Sequence, residues 1–309
     1  MPKSVNKEFI EDIAIELGIL PSFVEKDFYA VQLLKELSKI HYESAALIFT
    51  GGTCLSKAYE LIKRFSEDID FRIQTNIPFS RKDRRLFRQA IIDKLKQVQY
   101  IEVLEETLEK QNESKFFSFY ISYPQHFEPT ESLRNNLKLE FSFEDVLLPT
   151  QICKIQSIIS KYTDGADKLE LNCVSPVEIG ANKLSALMWR VDIKDRTKQK
   201  GNIANDATII RHLHDLAALE SLILSSDFIK SIQLSFNTDK GRGGSNKDIT
   251  LAAFTEKTLT KLKTDKIYSK EYKNFVDALS YANEVETIDF KTAMLSFERI
   301  VDFILQNQG

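Results

Sequence analysis

Leu47-Ile-Phe-Thr-Gly-Gly-Thr-Cys-Leu-Ser-Lys-Ala-Tyr-Glu-Leu-Ile-Lys-Arg-Phe-Ser-Glu-Asp-Ile-Asp-Phe-Arg72 is the stretch on which the fold turns. It reads as strand, glycine turn, helix, turn and strand. Leu47 to Phe49 is a short apolar run suited to a buried strand, and Gly51-Gly52 ends it. Leu55, Ala58, Tyr59 and Ile62 then recur at i, i+3, i+4 and i+7, which predicts one buried helix face. Asp68-Ile69-Asp70-Phe71 fits a second strand. Strand alternation puts Asp68 and Asp70 on one face and turns Ile69 and Phe71 toward a core.

Two carboxylates about 7 Å apart along a strand face can share hard divalent cations such as Mg²⁺ or Mn²⁺. The turn Gly51-Gly52-Thr53 opens a helix whose free N–H groups and positive dipole end suit a phosphate, and the Thr53 hydroxyl can add a hydrogen bond. Each part has an ordinary reading. A Gly-Gly pair by itself is a turn, and Asp-x-Asp by itself is a solvated strand face or a cap. Together, on the right elements at the right separation, they supply what nucleotidyl transfer requires: a phosphate cradle beside metal-binding carboxylates.

A two-metal site calls for a third carboxylate from a neighbouring strand. In Leu137-Lys-Leu-Glu-Phe-Ser-Phe143 the apolar residues alternate with Lys138, Glu140 and Ser142, as in a sheet with one buried and one active face. Glu140 is therefore preferred over Glu170, which lies in Lys168-Leu-Glu-Leu-Asn-Cys173. The alternative for either is an exposed strand glutamate.

The 309 residues are 43% hydrophobic, enough to bury one large domain or two. A net charge of −3 and a pI near 5.9 exclude a generally basic nucleic-acid coat. Cys54, Cys153 and Cys173 lack metal-ligand spacing and read as buried thiols of a reducing cytoplasm. No apolar run approaches the roughly 18 residues of a membrane span, so a cytoplasmic protein with no membrane partner is expected.

Helices are expected over 7–17, 21–39 and 81–98, the last amphipathic and basic. Strands are expected over 100–108, 115–123, 135–143, 153–159 and 169–174. The turn-rich Lys161–Asp167 segment suggests a boundary between a domain of residues 1–165 and a mainly helical one of residues 166–309. Gly241-Arg-Gly-Gly-Ser245 lacks the Lys-Ser/Thr ending of a phosphate loop and reads as part of a flexible loop. Ser175-Pro-Val-Glu178 looks like a capping-box helix start. On the helix it opens, Lys183 reads either as a phosphate contact or as a solvated lysine. From Lys183 to Lys200 six basic residues face only Asp192 and Asp195, so this segment could guide an RNA backbone through Arg196, Lys198 and Lys200, or be a solvated loop.

Gly51-Gly52-Thr53-x-Leu55-x-Lys57 followed by Arg64-x-Ser66-Glu67-Asp68-Ile69-Asp70-Phe71 resembles the nucleotidyltransferase-fold toxins of the AbiEii/AbiGii family, found in abortive-infection and type IV toxin–antitoxin systems. Lys183-Leu-Ser-Ala-Leu187-x-x-Arg190 looks like that family's lysine motif, whose lysine contacts nucleotide phosphates. Arg211-His-Leu-His-Asp215-Leu216 looks like the motif Arg/Lys-Asp-x-x-Asp-Leu. Asp215 matches the second aspartate, while His212 stands where the first would be. His212 and His214 themselves read as surface residues.

The resemblance implies an α+β chain, a nucleotidyltransferase-fold mixed sheet followed by a helical domain. It assigns Asp68, Asp70, Lys183 and Asp215 to catalysis, and Gly51, Gly52, Thr53, Lys57, Ser66 and Lys183 to nucleotide binding. Asp68, Asp70 and Glu140 would hold Mg²⁺ or Mn²⁺. It further implies an NTP substrate (GTP or CTP), an RNA acceptor at the tRNA 3′ end, and growth arrest or phage abortive infection. A cognate antitoxin would counter it, with or without direct binding. The rival readings are nucleotide transfer to a protein or small molecule, and a GTP-binding regulatory module without turnover.

Overall fold

Seven strands form one mixed sheet: β1 (Ala45–Thr50), β2 (Asp68–Thr75), β3 (Glu102–Gln111), β4 (Phe116–Ser122), β5 (Leu137–Ser142), β6 (Gln151–Ile155) and β7 (Leu169–Cys173). Their spatial order is β3-β4-β5-β2-β1-β7-β6. β2 runs antiparallel to β1 and parallel to β5, and β1 runs parallel to β7. The computed structural model describes residues 6–128, 133–163, 169–199 and 201–307. The suggested boundary at residue 165 lies outside the described residues.

The register of the central strands follows from their aromatic face. Phe49 pairs with Phe71, and Phe71 with Phe141, across β1, β2 and β5. Phe71 and Phe141 stack at 5.8 Å between ring centroids, and Phe117 and Phe141 at 4.8 Å. All four rings are buried. Each contributes roughly 1.5–3 kcal/mol by burial, with about 0.5–1.5 kcal/mol more for a well-placed ring pair. A slip of one residue would exchange the two faces of a strand, so this stack also fixes which carboxylates share the opposite face.

α1 (Lys7–Leu17), α2 (Pro21–Ser38) and α4 (Arg81–Lys96) belong with the sheet. Val24, Phe28, Val31, Leu34 and Leu37 form a buried apolar stripe along α2, but Glu25, Lys26 and Asp27 on its other faces are buried too. Each of these charges is satisfied by a different segment. Glu25 accepts from the His126 N–H, Lys26 pairs with Glu67, and Asp27 accepts from the Ile158 N–H. α2 is thus a buried strut rather than an amphipathic surface helix.

The helix after the glycine turn is shorter than its apolar spacing predicts. α3 runs only Gly51–Lys57. The left-handed backbone at Glu60 (φ 53°) lies beyond it, and the Tyr59 hydroxyl donates to the Val174 carbonyl. The i, i+7 pattern therefore joins residues that do not share one helix.

The chain divides into two compact units, Met1–Glu60 with Phe65–Val174, and Leu61–Arg64 with Ser175–Gly309. Strand β7 falls in the first, because it pairs with β1 and β6. The second unit holds α5 (Pro176–Asp192), α6 (Arg211–Ile223), α7 (Ser226–Asp239), α8 (Leu251–Thr264), α9 (Ile267–Phe275) and α10 (Phe290–Gln306). α5 starts at Ser175, whose side chain accepts from the Val177 N–H, with Pro176 in the first turn. It packs on α6, α7 and α8, and α10 packs on α6 and α8. Gly180 permits the close approach of α5 and α6: a Cβ there would lie 2.9 Å from Ile223. The connection between α7 and α8 turns tightly at residues 242–244, with Gly243 left-handed (φ 63°), and Arg242 lies over the Trp189 ring of α5 at 5.2 Å.

Candidate active site

In the first unit, β2 presents Asp68 and Asp70 on the face opposite the aromatic stack. Asp70 is in register with Glu140 on β5 and with Thr50 at the end of β1. Glu140 is therefore the neighbour of Asp70 across the strand pair, and Glu170 is not. Glu170 lies on β7, which is not a neighbour of β2, and it borders a groove with Ala46 and Asn172. Since Phe49 pairs with Cys173 in parallel, Glu170 falls about 10 Å from the Cys173 level, back along the strand.

Gly51 is required at its position twice over. Its φ of +78° is left-handed, and a Cβ there would lie 1.9 Å from Asp70 Oδ2. The glycine lets the Asp70 carboxylate lie against the turn. Thr53 is buried, and its hydroxyl donates to the Asp68 carbonyl and, at 3.4 Å, to that of Ser66. The hydroxyl thus ties α3 to the start of β2. Lys57 is ion-paired with Asp27 of α2. Gly52, in the first turn of α3, is buried, and Ser66, just before β2, is partly exposed.

The three carboxylates do not converge as a preformed metal cage. Among the described residues no group of three or more His, Cys, Asp and Glu side chains is arranged to hold a metal ion. Glu140 is turned to Lys138, at 2.6 Å, and Asp68 to Arg134, at 3.0 Å. Both are cations competing for the same charge. The donor set is nonetheless all oxygen, as Mg²⁺ and Mn²⁺ prefer, and Asp68 Oδ1 is buried outside hydrogen-bond geometry. Asp68, Asp70 and the register partner Glu140 fit such a cation once those cationic side chains are displaced.

Behind them lies a second tier that the sequence did not reveal. Glu67, 3% exposed, pairs with Lys26 at 2.9 Å and with Arg134 at 3.4 Å. Burial by itself would raise the Glu67 carboxyl, but Lys26 and Arg134 outweigh it and hold the group below its usual range. Burial alone would make Arg134 less basic, but Asp68 and Glu67 reverse this and strengthen its hold on a proton.

The second unit contains its own buried charge cluster. Asp215 is fully buried and takes a two-pronged contact from Arg64, Nε to Oδ1 at 2.8 Å and Nη2 to Oδ2 at 2.6 Å. Lys183 Nζ lies 2.8 Å from Oδ2, and His214 Nδ1 lies 3.1 Å from Oδ1. Burial would push the Asp215 carboxyl up, but Arg64 and Lys183 hold it well below its usual range. Lys183 is therefore buried and paired, not solvated. On the same helix as Asp215, Arg211 Nε donates to the Phe275 carbonyl. Neither histidine is freely exposed: His214 is 4% exposed, and His212 is half-buried, its Nδ1 enclosed without a hydrogen-bond partner. Burial, then the nearby Lys183, pushes His212 well below its ordinary value.

The basic segment after Lys183 is largely neutralised within the unit. Arg190 pairs with Asp206, and Lys194 with Glu271. Arg196 pairs with Asp265 and Glu271 while lying over the Tyr268 ring at 4.7 Å. Lys198 is exposed and 3.9 Å from Asp195, and Lys200 lies outside the described residues. Among the described residues the excess charge counted along the sequence is mostly paired, with most of its acidic partners coming from residues 206–271.

A glycine turn pressed against the second carboxylate of an Asp-x-Asp strand, in a mixed sheet followed by helices, is the arrangement of a nucleotidyltransferase. The family described as nucleotidyl transferase AbiEii toxin, type IV TA system, matches residues 32–297, and the chain belongs to it. Among solved structures it is similar to MenT4, a nucleotidyltransferase toxin from Mycobacterium tuberculosis H37Rv. The TM-score is 0.58 and the identity 14%, over 97% of this chain and 99% of that one. At that identity the likeness concerns the fold. No curated protein matches the chain. Among the described residues, no helix is long and apolar enough to cross a membrane.

Proposed function

We propose that this toxin transfers a nucleoside monophosphate from an NTP (GTP or CTP) to an RNA acceptor, the 3′ end of tRNA, and thereby arrests growth in defence against phage. The observation that carries this reading is the register of Asp70 with Glu140, with Asp68 on the same face and Gly51 closed against Asp70. A binding module would need no such set of carboxylates. An antitoxin encoded with it would counter it, with or without direct contact.

In this reading Asp68, Asp70 and Glu140 would hold Mg²⁺ or Mn²⁺, which requires Glu140 to be free of Lys138. The bound cations would neutralise charge on the triphosphate and on the leaving pyrophosphate. Gly51 and Gly52 let the backbone approach the phosphates. Thr53 and Ser66 brace the turn against β2, and Lys57 anchors α3 through Asp27. The acceptor hydroxyl gives its proton to Asp70 or Glu140 as its oxygen attacks the α-phosphorus in line and pyrophosphate departs. Lys183 contributes positive charge to phosphate binding. Asp215 acts as a positioning residue, holding Lys183 and Arg64 in place.

Expression of the wild-type chain in bacteria should arrest growth and yield tRNA lengthened at its 3′ end. Asp68→Ala combined with Asp70→Ala should do neither while accumulating as folded protein. Arrest by the folded double variant would favour the binding-module reading.

A further inference from the structure

Arg134 precedes β5, and a buried ion pair holds its backbone from two sides. Lys26 Nζ donates to its carbonyl at 2.6 Å, and its own N–H donates to Glu67 Oε1 at 2.5 Å. The Lys26 and Glu67 side chains are only 5% and 3% exposed. The side chain is different. It is 38% exposed, with Nη2 3.0 Å from Asp68 Oδ1 and Nε 3.4 Å from Glu67 Oε2. A fixed backbone thus carries a solvent-accessible cationic fork to a carboxylate assigned above to metal binding.

Two positive groups cannot both sit on Asp68 at little cost. A divalent cation there weakens the hold of Asp68 on the guanidinium and repels it. A triphosphate arriving with that cation offers oxygens that match the planar fork of arginine. We propose that Arg134 is a triphosphate-binding residue that rests on Asp68 in the nucleotide-free protein and moves to phosphate oxygens when metal and nucleotide bind. Only its side chain has to rotate, because the Lys26–Glu67 pair keeps the backbone in place. The resting contact also shields the Asp68 charge before substrate arrives. This inference rests on the metal reading of Asp68.

The test uses the full chain without nucleotide. Mn²⁺ binding is titrated by electron paramagnetic resonance, and magnesium tripolyphosphate binding is measured by calorimetry. Arg134→Gln should tighten Mn²⁺ binding about three- to tenfold, by removing a competing cation. It should weaken tripolyphosphate binding about ten- to a hundredfold, by removing charged hydrogen bonds. Arg134→Lys should leave Mn²⁺ affinity near wild type and lose part of the tripolyphosphate affinity. A purely structural arginine would weaken both ligands and lower the unfolding temperature.

Unchanged tripolyphosphate affinity in either variant overturns the proposal, as does weakened Mn²⁺ binding in an Arg134→Gln protein that unfolds at the wild-type temperature. If the glutamine variant is less stable, the lysine variant decides. A wild-type protein with no Mn²⁺ site that Asp68→Asn removes would overturn the metal reading and this inference with it.

Discussion

Replacing Asp215 with asparagine would strip the negative charge from a site where two cations are already out of water. Arg64 and Lys183 are 3% and 9% exposed and approach the Asp215 carboxylate at 2.6 and 2.8 Å. Neither can recover its lost hydration without opening the second unit. Breaking a buried pair by removing one partner costs about 3–5 kcal/mol, because a charge is left uncompensated. For a unit of this size, 1 kcal/mol moves the midpoint by roughly 3 °C, so calorimetry should show a fall of about 9–15 °C. Adding Lys183→Met should recover part of the loss by removing one stranded cation.

The pH dependence has a definite sign. A folded carboxyl held below its unfolded value gives stability that is complete above the ordinary value of 3.8 and is lost as pH falls through the depressed one. The gap between wild type and variant should therefore be constant near neutrality and narrow only in acid below about pH 4. An inactive Asp215→Asn protein with an unchanged midpoint would refute this reasoning and leave Asp215 a chemical role alone.

Gly51→Ala should lower transferase activity about a hundredfold, because the new Cβ displaces the Asp70 carboxylate. It should also cost about 1–2 kcal/mol through the left-handed backbone, measured by urea unfolding. His212→Gln should flatten the fall in stability from pH 7 to pH 5. The unfolded histidine takes up its proton near 6.5 while the folded one does not, so wild-type stability drops as pH falls through that value and the variant's does not. Urea midpoints across that range check this.

Much of the first unit was legible because strand alternation is a local signal. Leu137 to Phe143 announces its two faces, and the same alternation in β2 places Asp68 and Asp70 together. The glycine turn was legible as well, although not the reason for it, since the approach of Asp70 to Gly51 joins residues 19 apart. What periodicity could not supply was partnership across the chain. Lys26 gives no sign in sequence that it meets Glu67, nor Arg134 that it reaches Asp68. Lys183 looks solvated from its own helix, because its partner Asp215 arrives on another. Arg196 looked like part of a basic surface until Asp265 and Glu271 were brought against it. α3 is shorter than its spacing implies for a related reason: apolar residues at helical spacing serve two units rather than one face.

The central claim is metal-dependent transfer of a nucleotide to RNA. Its most direct test is incubation of the protein with total tRNA, Mg²⁺ and each α-³²P-labelled NTP in turn. The account predicts label in tRNA from GTP or CTP, absent without Mg²⁺ and absent when Asp68 and Asp70 are both alanine. Label that persists in the folded double-alanine protein, or no label in RNA from folded protein that binds NTP, would contradict it.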